Sequence, residues 1–285
     1  MNPESYIKVR QRLWAQRQNI NVTIKGYTST LEENLFVNLS EATRAEFNGA
    51  DGGELNSKNG KQPKMHAVHS SSALPVNVFE YWRQLRAAST SGEVLRPLAQ
   101  ACGLPATGLD QIRFEQKRPV CDYPRTKGFR KDPNLDIIFE YERGAIKEIG
   151  GESKFMEPYS AHKGIKPGYL ALPELWHNIP HCAERAKMLG PTNSGLDVAQ
   201  FLKHILGLKY RNGVGNFWLT YFWYPVPDIA VCEQFRQVEE FQQILKKDGI
   251  RFHAITYQEV VHNLSLAKLG PEHGPYLKYL MDRYL

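Results

Sequence analysis

The feature that most constrains this chain is a pair of strand-like runs, Leu135 to Tyr141 and Ala145 to Phe155, separated by only Glu142, Arg143 and Gly144. Apolar runs this close together predict an antiparallel hairpin. The first run holds an acid among apolar neighbours, Asn134-Leu135-Asp136-Ile137-Ile138, and the second ends in Gly150-Gly151-Glu152-Ser153-Lys154-Phe155. Strand side chains alternate between faces, so Glu152 and Lys154 share one face while Ser153 and Phe155 take the other. With a three-residue loop, Tyr141 pairs with Ala145 and Asp136 falls opposite Gly150. That puts Asp136 on the face of Glu152 and diagonal to it, roughly 7–8 Å apart at the backbone. A two-residue loop instead sets Asp136 opposite Gly151, on the wrong face unless Gly150-Gly151 forms a bulge. The glycines are expected to leave room beside the acids for an ion or a phosphate.

Two acids and a lysine on neighbouring strands carry a definite chemistry. Phosphodiester hydrolysis at neutral pH needs a divalent ion to activate water and a cation or base to position the nucleophile. Hard Mg²⁺ keeps several waters and takes only one or two protein carboxylates. Asp136 and Glu152 are therefore the candidate metal ligands and Lys154 the candidate cation, with Mg²⁺ as the expected cofactor and Mn²⁺ able to substitute. The plainer reading is a cross-strand ion pair on a solvated face. Against it stands the apolar run Leu135 to Phe139, where an unpaired Asp136 is costly without a metal or a partner. Glu115-Gln116-Lys117 repeats the Glu-x-Lys pattern, but its nearest upstream acid, Asp110, is too close in sequence to lie on a separate paired strand.

Elsewhere, helical spacing marks Ser5 to Gln18, Leu74 to Ala88, Gly92 to Cys102, Gly195 to Tyr210, Val231 to Asp248 (stopped by Gly249) and Gly274 to Leu285. Strand patterns mark Gln111 to Lys117, the aromatic-rich Asn216 to Tyr224, and Arg251 to Tyr257. Asn216 to Tyr224 is apolar on both faces and reads as a central buried strand rather than a base-stacking surface. Strand, helix, strand at the end implies a parallel crossover. The expected fold is thus α/β, a mixed β-sheet flanked by helices. The Gly-, Asn- and Lys-rich stretch Asn48 to Lys64 reads as a loop, dividing the chain into an N-terminal helical arm with a flexible loop, 1–64, and a main domain, 65–285.

With 285 residues and 42% hydrophobic content, the chain can bury a sizeable core. A formal charge of +6, concentrated modestly at Lys8 to Arg17, Lys117 to Lys131 and Lys203 to Arg211, fits a polyanionic partner. No window approaches the roughly 20 apolar residues of a membrane span, and Met1 to Gln18 has no apolar core of a leader, so a cytoplasmic location without membrane attachment is expected. Cys102, Cys121, Cys182 and Cys232 form no CxxC pair, which argues against a zinc ribbon. His66 with His69, and His177 with His181 and Cys182, lack a further ligand at a recognisable spacing and read as structural. The motifs of serine hydrolases, P-loop nucleotide hydrolases and dehydrogenases are missing from the sequence.

An acid on one strand followed across a hairpin by Glu-x-Lys resembles the PD-(D/E)xK nuclease superfamily. Longer stretches are similar to an uncharacterised bacterial branch of restriction endonucleases. These are His69-Ser70-Ser71-Ser72-Ala73-Leu74-Pro75-Val76-Asn77, Asn134-Leu135-Asp136, Glu152-Ser153-Lys154-Phe155 with Glu157-Pro158-Tyr159, and Gly249-Ile250-Arg251-Phe252 leading to Thr256-Tyr257-Gln258-Glu259. The resemblance spans roughly His66 to Asn263, with Asn-Leu-Asp standing where the superfamily label has Pro-Asp. It implies a restriction-endonuclease-like fold and a metal-dependent endonuclease acting on DNA, expected to be duplex, in restriction or defence. It also implies that Asp136 and Glu152 bind the metal, that Lys154 orients or deprotonates the attacking water, and that Glu115 and Gln200 are an additional acid and a polar helix residue of the site. A homodimer is expected by analogy with the two-fold symmetry of duplex DNA. The alternative is a non-catalytic module that keeps the fold and binds nucleic acid or protein; the intact Asp136, Glu152 and Lys154 set favours the enzyme.

Overall fold

The computed structural model describes residues 2–50, 53–57, 60–122, 132–227 and 230–285. Part of the basic stretch Lys117 to Lys131 and four positions of Asn48 to Lys64 lie outside the described residues. In chain order the helices and strands are α1 (Pro3–Arg17), α2 (Glu41–Gly49), α3 (Ala73–Ala88), α4 (Arg96–Ala101), β1 (Leu109–Lys117), β2 (Asn134–Tyr141), β3 (Glu148–Lys154), β4 (Ala161–Lys163), α5 (Pro167–Leu170), α6 (Pro180–Lys187), β5 (Thr192–Ser194), α7 (Val198–Asn212), β6 (Phe217–Trp223), α8 (Ala230–Lys247), β7 (Arg251–Thr256), α9 (Tyr257–Leu266) and α10 (Gly274–Tyr284).

Local chemistry accounts for the helix ends. Asn2 opens α1 by accepting from Ser5 N, with Pro3 at the first helical position, and Asp197 opens α7 by accepting from Gln200 N. Thr256 and Glu259 form a reciprocal capping box at α9. Gly249, at φ +69°, ends α8 in the left-handed conformation that favours glycine.

The main sheet has five strands in the order β1-β2-β3-β6-β7, antiparallel from β1 to β3 and parallel from β3 to β7. This is the α/β architecture expected, with the aromatic strand β6 in the sheet interior and the β6-α8-β7 unit forming the parallel crossover. A second, two-stranded sheet pairs β4 with β5. Alternation on β6 divides the interior. Phe217, Leu219, Tyr221 and Trp223 enter a core with Phe201, Leu202 and Ile205 of α7 and Phe241 of α8. Phe222 enters the other core with Phe79 of α3, Val260 of α9 and Leu280 of α10.

Segment 1–64 contributes Ile7, Leu31, Leu35, Leu39 and Phe47 to that second group. It is also tied by polar contacts: Glu80 of α3, fully buried, accepts from Ser40 N and Thr43 Oγ1. The buried Arg283 of α10 donates to Gln11 and Asn34 and lies 3.9 Å from the centre of the Trp14 ring. Among the described residues no helix is long and apolar enough to cross a membrane.

The hairpin turns less tightly than either loop considered from the sequence. Ile138, not Asp136, stands opposite Gly150, and the loop runs from Glu142 to Ile146, closed by Tyr141 N donating to Lys147 O. The cause lies in the segments flanking β1 and β6: Glu142 N donates to Gly108 O and Lys147 N to Asn216 O, so both N–H groups are held outside the β2–β3 ladder. The register is regular, and no bulge occurs at Gly150-Gly151. The glycines do not leave room for a ligand. A Cβ on Gly150 would lie 2.3 Å from Leu135 Cδ2 and 2.8 Å from Leu208 Cδ1, and one on Gly151 3.2 Å from Ile137 and Phe222. Their missing side chains are replaced by core packing.

Candidate active site

The β2–β3 ladder stops at Ile137 opposite Gly151. One step further along, the Asp136 side chain takes the place of a ladder partner: its Oδ2 accepts from Ser153 N at 2.7 Å. Glu152 and Lys154 follow on β3, and Glu115 lies level with this point on β1, between the pairs Phe114 with Ile137 and Gln116 with Leu135. Glu115, Asp136, Glu152, Lys154 and Gln200 all line one cleft of about 320 Å³. All five residues singled out from the sequence are therefore brought together.

Glu115 interrupts its own strand, with a left-handed φ of +52° that costs a non-glycine residue on the order of 1–3 kcal/mol. The turn carries its carboxylate to Asn134 Nδ2, which donates to it. Burial, helped by Glu54 and Glu152 and opposed by the Asn134 bond, pushes its carboxyl up to about 7. Burial likewise drives the Asp136 carboxyl well above the usual carboxylate range, with the charges of Glu152 and Glu115 adding to it; Lys154 and the Ser153 N–H oppose the rise without cancelling it. Glu152 is as deeply buried, yet Lys154 and His204 overcome the cost and hold its carboxyl low. Burial works against the Lys154 ammonium, but Glu152 and Asp136 keep it above its ordinary value, firmly charged.

Lys154 Nζ lies 2.6 Å from Glu152 Oε1 and donates to Gln200 Oε1 at 2.9 Å. The other Glu152 oxygen, Oε2, accepts from His204 Nε2 at 2.7 Å. Gln200 and His204 are one turn apart on α7, so this helix provides a partner to each member of the Glu-x-Lys pair.

Sequence reasoning missed His204, whose only signal was its place one helical turn beyond Gln200. It also missed Glu54, Ser71 and Glu157, which line the same cleft. Ser71 Oγ donates to Glu157 Oε1, joining two of the stretches that carried the resemblance. Behind β3, the Ser153 hydroxyl lies 2.6 Å from the buried Tyr257 hydroxyl. The histidines weighed as ligands lie elsewhere: His181 Nδ1 and the N–H groups of His181 and Cys182 meet Asp248.

Among the described residues, no three His, Cys, Asp or Glu side chains form a metal-holding group. A hard divalent ion takes one or two protein carboxylates and fills the rest of its sphere with water and phosphate oxygens. Asp136 and Glu152 fit that demand. Asp136 is a buried acid among like charges with a single backbone donor, an arrangement that a cation would relieve.

A mixed sheet with helices on both faces, and acids from three adjacent strands converging beside a lysine, defines a restriction-endonuclease-like α/β domain. The chain belongs to the family described as "Restriction Endonuclease associating with ARP", whose model matches residues 8–285. Searches of curated proteins and of solved structures found no match.

Proposed function

We propose that the protein is a metal-dependent endonuclease of the PD-(D/E)xK type that hydrolyses phosphodiester bonds in duplex DNA. The observation that carries this reading is the pairing of two buried acids with opposite environments. Lys154 and His204 offset the burial of Glu152, whereas at Asp136 burial and the repulsion of Glu152 and Glu115 outweigh what Lys154 and the Ser153 N–H give it. An acid so placed is a burden on the fold unless a cation completes it.

Asp136 and Glu152 would hold Mg²⁺ or Mn²⁺, which when bound supplies an activated water and neutralises charge developing on the phosphate. Of the two roles expected for Lys154, orientation is the one its ion pair supports, because a firmly charged ammonium donates hydrogen bonds and does not accept a proton. Gln200 holds that ammonium at the cleft. Glu115, at the opposite side of Asp136, is the additional acid. The family description carries over as a restriction or defence role in company with ARP.

The test is cleavage of supercoiled plasmid and phage DNA by the purified protein with Mg²⁺, Mn²⁺ or EDTA, beside Asp136→Ala and Lys154→Ala. Metal-dependent nicking lost in both variants supports the reading. A folded protein that cleaves nothing and binds DNA equally well in EDTA points instead to the non-catalytic module.

A further inference from the structure

We infer that His204 is a positioning residue of the cleavage site, fixing Glu152 so that a single carboxylate oxygen is offered to a divalent cation in the cleft. The inference rests on the reading of Asp136 and Glu152 as metal ligands.

A glutamate side chain has rotatable bonds that let it swing between one-oxygen and two-oxygen binding, and freezing them in advance raises affinity for an ion. Two contacts freeze Glu152. The His204 ring takes Oε2 at 2.7 Å, with both side chains 1% exposed, so the bond is desolvated and charge-assisted. Oε1 is left on the lysine side, 2.6 Å from Lys154 Nζ.

The second ring nitrogen, Nδ1, is buried without a hydrogen-bond partner among the described residues. Nothing behind the ring orients it, and Glu152 is its polar contact among the described residues. Filling this place on α7 for packing alone would favour leucine, since a buried imidazole with one nitrogen unmatched costs free energy that packing does not return. The bond to Glu152 is what makes histidine fit here. Gln200, one turn earlier, does the same for Lys154. Further along α7, a Cβ on Gly207 would lie 2.7 Å from the backbone O of Arg118, one residue past β1, so the helix packs without a gap there.

The experiment compares Mn²⁺ affinity, read by electron paramagnetic resonance, in the full chain and in His204→Gln and His204→Asn. The glutamine amide reaches about where Nε2 sits; the asparagine amide stops short. Glutamine is expected to bind within about threefold of the parent and asparagine about 10–100-fold more weakly, the usual range for groups that orient a ligand. Asparagine binding Mn²⁺ as tightly as the parent, or glutamine as weakly as asparagine, overturns the inference. A readout on the unmodified protein accompanies it: Mg²⁺ should shift the His204 Nε2 nitrogen resonance more than Nδ1, and an unmoved Nε2 overturns it as well. A parent protein that binds no Mn²⁺ at all removes the metal-site reading itself, a separate and distinguishable failure.

Discussion

The carboxylate of Asp136 is bonded to the backbone N–H of Ser153, 2.7 Å away, where the two strands stop pairing. The bond fixes one candidate ligand to the strand that carries the other, and it uses no side chain of residue 153. Stability and metal binding should therefore pull in opposite directions at Asp136. In EDTA at pH 8, Asp136→Asn is expected to raise Tm by about 2–4 °C for each kcal/mol of relieved repulsion. Adding Mn²⁺ should raise Tm of the parent by mass action and leave the variant unmoved. A parent Tm indifferent to Mn²⁺ would contradict the assignment.

Glu115 gives a pH signature in the metal-free protein. Its folded carboxyl, raised by burial to about 7 from an ordinary 4.5, favours the protonated form. The stability it contributes is complete below pH 4.5 and lost as pH rises towards 7. Thermal melts in EDTA should show Tm falling across that window, and Glu115→Gln should flatten the fall. An unchanged slope in the variant would assign the titration elsewhere.

Gly150 and Gly207 should differ in how they tolerate a methyl group. At Gly150 the neighbours are the flexible ends of Leu135 and Leu208, and Gly150→Ala should cost about 1–3 kcal/mol. At Gly207 the neighbour is the Arg118 backbone carbonyl at 2.7 Å, which cannot rotate away. Gly207→Ala is expected to lower the urea midpoint further than Gly150→Ala, and the reverse order would show that α7 and the segment of Arg118 can move apart.

Asp248, just past the end of α8, caps the first turn of α6 by accepting from His181 N at 3.1 Å and Cys182 N at 2.7 Å. Asp248→Ala should cost about 0.5–2 kcal/mol, the usual worth of a helix cap, without changing DNA cleavage. Loss of cleavage at a temperature where the variant is folded would mean that α6 has a part in the site.

The strands, the crossover and the meeting of Asp136, Glu152 and Lys154 were legible because they follow from side-chain alternation and from punctuation such as Gly249, which are local properties, whereas Glu115 and Gln200 were pointed to by the family resemblance. The hairpin loop was misjudged because Gly108 and Asn216, distant in sequence, compete for its N–H groups. Gly150 and Gly151 were misread for a related reason: the pattern indicates that no side chain fits, but not whether a leucine or a phosphate occupies the space. Glu54 enters the cleft, and His204 reaches Glu152 from beside it, out of segments with no chemical pattern of their own, and only the folded chain brings them to Glu115 and Glu152.

The order of these contributions along the chain bears on the birth of the molecule in the cell. Residues 115 to 154 carry the acids and the lysine, and they leave the ribosome well before Gln200, His204 and Tyr257, which hold Lys154, Glu152 and Ser153 in place. A nascent chain stopped between the two groups would carry the candidate ligands and lysine without the side chains that orient them.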